Sequence, residues 1–123
     1  MHRTLCSAAM ELRVVRHTDR FDESCHFYGR LLSWPITRSW DEGGRGCIFG
    51  HGTTGIELIE ATETSVVSGV FLSVECAAVQ PIHDTFAAAD VAITQPLADQ
   101  LWGHRSFGVR DPTGMTIVFF EWC

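Results

Sequence analysis

Metal binding and proton transfer need histidine, cysteine or carboxylate groups brought together, and in this chain the six histidines and five cysteines are scattered. His17 falls at the exit of a first strand, His26 on a helix, His51 in a turn, His83 in a second helix and His104 in the loop before a final hairpin. None is spaced as a ligand pair on one cleft-facing surface. His104 alone is retained as a candidate, because its loop is expected to border a cleft and imidazole is the side chain that titrates near neutral pH. Cys6, Cys25, Cys47, Cys76 and Cys123 are odd in number and lack a short-spaced pair, which is neither a disulfide framework nor a zinc motif. They read as reduced cytoplasmic thiols used as small hydrophobes. The four tryptophans offer a different chemistry, flat surface for stacking on an aromatic or cationic molecule.

Composition narrows the function classes. A chain of 123 residues is one domain with a sizeable core, and its net charge of −6 without any basic run excludes a nucleic-acid surface and suits cationic or neutral small ligands. The longest apolar stretches, such as Met115 to Phe120, fall far short of the roughly 20 residues that span a bilayer. Residues 1–9 lack the apolar core of a signal peptide and read as a flexible lead, which together predicts a soluble, cytoplasmic protein with no membrane partner.

The elements that must position any site are written twice. Glu11 to His17 predicts a strand, and Asp19, Asp22 and Glu23 mark the acidic start of a helix carrying Phe21, Cys25, Tyr28 and Leu32 at helical spacing until Pro35. Ile36 to Trp40, Gly46 to Phe49 and Gly55 to Ile59 follow as strands separated by glycine-rich turns. After the polar link Thr62-Glu63-Thr64-Ser65 the order returns. Val70 to Glu75 is a strand, Pro81 at a first helical position opens a helix with Ile82, Phe86 and Ala89, and Val91 to Gln95, Ser106 to Arg110 and Met115 to Glu121 are three more strands. In the last hairpin, Asp111-Pro112-Thr113-Gly114 combines a residue that presets φ with one that frees it. The predicted class is α+β, two tandem βαβββ modules (10–62 and 68–123 of a domain over 10–123) forming an open, cleft-enclosing sheet.

This duplicated order resembles the vicinal-oxygen-chelate superfamily of glyoxalases, bleomycin-resistance proteins and extradiol dioxygenases. The residues that carry the likeness are Phe27-Tyr28-Gly29-Arg30-Leu31-Leu32, Ile56-Glu57-Leu58 and Asp111-Pro112-Thr113-Gly114, with Trp102-Gly103 most similar to the bleomycin-resistance branch. The resemblance implies that metal-dependent members draw one ligand from each of the first, fourth, fifth and eighth strands, and it places Arg13, Glu57, Val70 and Val118 at those positions. Only Glu57 has lone pairs for a metal, so no metal and no cofactor are expected.

The cleft that the resemblance implies would then hold an Arg13–Glu57 pair, the guanidinium replacing the cation, beside Val118 and apolar groups. Trp40, Phe49, Trp102, Phe107 and Phe120 would add flat surfaces, and His104 would border it. That lining predicts a metal-free protein that sequesters an aromatic or cationic natural product, as drug-binding members do, and the branch implies a homodimer. The alternatives are a cofactor-free isomerase, cyclase or hydrolase with Glu57 as base, or a metal-dependent lyase or dioxygenase with a rearranged site. Binding is preferred because Arg13 beside Glu57 would weaken it as a base.

Overall fold

The computed structural model describes residues 10–123; the lead expected over residues 1–9 lies outside the described residues. Two compact units divide between Ser65 and Val66. The first contains β1 (Leu12–Thr18), α1 (Phe21–His26), β2 (Ile36–Trp40), β3 (Gly46–His51) and β4 (Thr54–Glu60). The second contains β5 (Phe71–Glu75), α2 (Val79–Ala88), β6 (Ile93–Asp99), β7 (His104–Arg110) and β8 (Thr116–Trp122). The class is therefore α+β, with two tandem βαβββ modules, and each module builds its own open four-stranded sheet. Strand orders are β1-β4-β3-β2 and β5-β8-β7-β6, with the first strand of each module parallel to the last and the other pairs antiparallel.

Period-two alternation decides which side chains meet the helix. In the first unit Ile56 and Leu58 of β4 and Cys47 and Phe49 of β3 are buried with Phe27 and Tyr28, and Tyr28 stacks on Phe49 at 6.2 Å. The helical segment approaches closely because Gly29 has no side chain, and a Cβ there would stand 3.0 Å from the Phe49 ring. Gly29 lies in a π-helical stretch, Phe27–Leu31, that continues α1 and ends where the Leu32 N–H donates to the Phe27 carbonyl at 3.1 Å. In the second unit Phe86 of α2 packs against Phe107 and Phe119 at 6.3 and 5.7 Å, with Val109 and Ile117 completing the same dry face.

Several sequence expectations shift. Asp22 and Glu23 do lie in the first turn of α1, as expected, but make no capping hydrogen bond; just before it the Thr18 hydroxyl accepts the Arg20 N–H at 2.9 Å. Pro81 is the third residue of α2, still within the turn whose N–H groups lack helical partners. The Val79 N–H is instead satisfied by the Glu121 carboxylate at 3.0 Å, a cap supplied from β8. Strand β6 starts two residues later than Val91 and runs through Pro96, which is tolerated at the sheet edge where the pairing with β7 slips between Gln95 and Ala98. The polar link is fastened to its own unit: the Thr64 hydroxyl donates to Asp19 at 2.6 Å, and Arg16 donates to the Ser65 carbonyl at 2.8 Å.

The final turn has Asp111 at its centre. One carboxylate oxygen accepts from the Thr113 N–H and hydroxyl, both at 2.8 Å, and from the Met115 N–H at 3.0 Å. Gly114 takes the φ of +87° that the return requires.

Candidate functional site

On the face of the first sheet turned away from α1, register lines up residues from all four strands. Val15, Glu57, Ile48 and Arg38 form one row across the sheet, and His17, Ile59, Gly46 and Trp40 form the next. Arg13 lies two residues before Val15 on the same face of β1. Arg13, Arg38, Trp40, Ile48 and Glu57 line a cavity of about 310 Å³, near the lower end of volumes that accommodate small ligands.

Two local features shape this cavity. The indole of Trp40 lies across Gly46, where an added Cβ would fall 2.0 Å from Cζ2 and 2.2 Å from Cε2. Glycine at that position therefore allows the ring to rest on the sheet as a flat wall. On the opposite side the Arg13 guanidinium stands 3.4 Å from Glu57 and 3.5 Å from Glu11, with side chains 39% exposed for Arg13 and 17% for Glu57. The expected Arg13–Glu57 pair is present in the described geometry. Arg38, exposed on edge strand β2, has no acidic partner among the described residues. Sequence reasoning missed Arg38 and Ile48; alternation from Trp40 across β2 and from Phe49 along β3 would have pointed to both.

The same alternation corrects two expected ligand residues. Phe49 is 1% exposed and Phe107 is 0% exposed, and both face the helices of their units as core. Their neighbours Ile48 and Gly108 occupy the opposite face, so a one-residue change of parity separates wall from core.

In the second unit that opposite face carries Phe71, Ser73 and Glu75 of β5, Thr116, Val118, Phe120 and Trp122 of β8, and His104 and Ser106 of β7. His104 is sandwiched against Phe120 at 4.1 Å and meets Trp122 edge-on at 4.2 Å. Its Nδ1 accepts from the indole N–H of Trp102 at 3.1 Å. Indole is only a donor, so the neutral ring carries its proton on Nε2, a buried atom without a hydrogen-bond partner among the described residues. Four expected residues, Trp102, His104, Val118 and Phe120, thus share this unit's aromatic face, whereas Arg13, Trp40 and Glu57 share the cavity of the first.

The donor set does not fit the metal that the fold family implies. Arg13 and Val118 face away from the helices and offer no lone pair to a cation, leaving Glu57 as the sole donor among the positions that the resemblance indicates. Val70 requires correction: it precedes β5 and falls in phase with Leu72 and Val74, which pair with core residues Ile117 and Phe119. Phe71 is the adjacent position in phase with the open face, and it cannot coordinate either. Among the described residues no three His, Cys, Asp or Glu groups stand close enough to hold a metal ion. A cysteine nucleophile finds no support in the paired thiols of the first unit, since burial pushes Cys25 up to about 12 and raises Cys47 as well.

Solved structures share this architecture. TioX from Micromonospora sp. ML1 is 20% identical with a TM-score of 0.75, covering 94% of this chain and 100% of that one. YycE from Bacillus subtilis, described as a protein of unknown function, is 22% identical with a TM-score of 0.73, covering 90% and 88%. A lactoylglutathione lyase from Agrobacterium tumefaciens is 19% identical with a TM-score of 0.69, covering 94% and 93%. Identities this low establish the fold alone. No curated protein matches the chain significantly. Among the described residues no helix is long and apolar enough to cross a membrane. A sequence model of the glyoxalase/bleomycin resistance protein/dioxygenase superfamily matches residues 12–119, and the chain belongs to that superfamily.

Proposed function

We propose that this protein binds a small planar molecule without a metal and without converting it, as a cytoplasmic homodimer. The observation that carries the reading is the cavity in the first unit, where the Trp40 indole forms a flat wall beside Ile48 and Arg13 and Glu57 supply a guanidinium–carboxylate pair. Stacking on tryptophan rewards aromatic ligands. Arg13 occupies the carboxylate of Glu57, the residue an acid–base enzyme of this fold would need free, and this favours sequestration over an isomerase, cyclase or hydrolase. A lyase or dioxygenase with a rearranged metal site would need donors that the cavity lacks. Large apolar side chains exposed on the faces away from the helices, Val15 in the first unit and Phe71 and Trp122 in the second, support assembly with a second copy.

Titration of intrinsic fluorescence with planar aromatic natural products should give saturable quenching that Trp40→Leu abolishes, with every ligand recovered intact. Turnover of a bound compound would instead place the protein among the enzymes. Elemental analysis should find no stoichiometric transition metal, and light scattering at micromolar concentration should give twice the chain mass. A monomer at all concentrations would remove the homodimer from the reading.

A further inference from the structure

The charge of the cavity selects the ligand more sharply than the charge of the chain. The whole protein carries −6, which by itself favours cationic ligands. Its field is screened beyond about 8 Å at physiological ionic strength, so groups in direct contact decide the sign of a bound molecule. Those groups are two guanidiniums, Arg13 and Arg38, and one carboxylate, Glu57. Arg13 is held between Glu57 and Glu11, whereas Arg38 meets no acid among the described residues. With Glu11 counted, two carboxylates balance two guanidiniums, but both acids are taken up by Arg13, and Arg38 is left with an unused planar fork of donors. A cationic guest would meet two arginines, and the acid that would welcome it is already engaged.

We propose that the cavity takes a planar aromatic monoanion, its ring stacked on Trp40 and its carboxylate, or an equivalent acid group, held by Arg38. This rests on the binding reading given above and specifies its ligand class. Arg38 and Trp40 are two residues apart on β2 and share one face, so their Cα atoms stand about 7 Å apart along the strand. That separation suits one or two fused rings over the indole with an acid group at the guanidinium end. Arginine is suited to this task because its fork matches the two oxygens of a carboxylate and keeps its charge at every relevant pH. The other wall of the cavity, Ile48 in the row between Arg38 and Glu57, is apolar and suits the hydrocarbon edge of the guest.

The test uses three probes of one shape on the intact protein: naphthalene-2-carboxylate, naphthalene-2-carboxamide and naphthalen-2-ylmethylammonium. Binding is followed by NMR shifts of the Trp40 indole N–H. The carboxylate should bind about tenfold more tightly than the amide, the margin of a half-exposed charge-assisted pair, and the ammonium most weakly. Arg38→Gln should abolish the preference for the carboxylate over the amide, with the dispersed NMR spectrum of the variant showing that it is folded. Added salt should weaken the carboxylate and spare the amide. Equal affinity of carboxylate and amide, or a preference for the ammonium, overturns the anion proposal and leaves the stacking reading intact. Failure of all three probes to perturb Trp40 overturns both.

Discussion

Two sheets with the same strand order carry different chemistry on the faces turned away from their helices. The helix-side faces are alike: Phe49, Ile56 and Leu58 in the first unit and Phe107, Ile117 and Phe119 in the second are dry and aromatic-rich. The opposite faces have diverged, one into a charged cavity around Arg13, Arg38 and Glu57, the other into a stack of His104, Phe120 and Trp122. Close packing constrains the first kind of face, because each buried residue touches many others and tolerates little change of volume. A face without a covering helix is free of that constraint, and this is where one architecture can acquire different sites.

The sharpest way to break this comparison is to truncate matching residues on the two kinds of face. Phe49→Ala and Phe107→Ala should each cost about 3–5 kcal/mol, since both remove fully buried rings. Trp40→Ala, on the other face of the first sheet, should cost about 1–2 kcal/mol while abolishing ligand binding. Urea melts of the three variants decide it. Equal losses would mean that Trp40 belongs to the core and that the division between supporting and working faces is mistaken.

The closing hairpins of the two units sharpen the same point. In the second unit the buried Asp111 carboxylate satisfies three donors, and Asp111→Ala would strand the Thr113 and Met115 N–H groups. A loss of about 3 kcal/mol is expected. In the corresponding turn of the first unit the Thr54 hydroxyl makes an exposed hydrogen bond to the His51 carbonyl at 3.2 Å, so Thr54→Val should cost about 0.5 kcal/mol. Comparable losses in thermal melts would mean that burial does not distinguish the turns.

Much of this was legible in the sequence because it is local. Alternation located the eight strands, with β2 at Ile36–Trp40 as expected, and the Asp-Pro-Thr-Gly wording located the last turn. What escaped depends on contacts distant in sequence. The cap of α2 comes from Glu121, and β6 continues past Pro96 because its position at an edge spares it a ladder bond that proline cannot make. Phe49 and Phe107 read as surfaces for a ligand because composition says aromatic while only register says which way. Arg38 was passed over for a related reason, since nothing in its own neighbourhood announces that Trp40 and Glu57 lie on its face.

A smaller effect should follow from the Arg13–Glu57 pair. A fully desolvated pair would cost about 3–5 kcal/mol on loss of one member, and a surface pair about 0–1 kcal/mol. With Arg13 39% exposed and shared between two acids at 3.4 and 3.5 Å, the lower range applies. Glu57→Met should cost about 1 kcal/mol because Arg13 still has Glu11, and a double-mutant cycle with Arg13→Met should return a coupling of about 0.5–1 kcal/mol. A coupling of several kcal/mol would show the cavity to be dry in solution.

The slightest effect expected is electrostatic and separates the units by pH. In the first unit Arg45 joins Asp22 and Glu60 at 2.9 and 2.8 Å over the ring of Phe21, and its hydrogen bond to Glu60 holds that carboxyl below its ordinary 4.5. A carboxyl whose folded pKa is depressed binds protons more readily when unfolded, so its contribution is present above the unfolded value and fades as pH falls through the folded one. Asp84 of the second unit is likewise lowered from 3.8, by His83 and then Gln80, through contacts that do not involve Arg45. Removing Arg45 should therefore alter the part of the acid limb over which Glu60 titrates and leave the contribution of Asp84 in place. With urea midpoints measured at intervals between about pH 7 and pH 3, the gap between wild type and Arg45→Met should be widest near neutrality and close as Glu60 protonates, within the bounds of an exposed and salt-screened network. A gap that stays constant across that range would assign the role of Arg45 to its packing on Phe21 rather than to its charge.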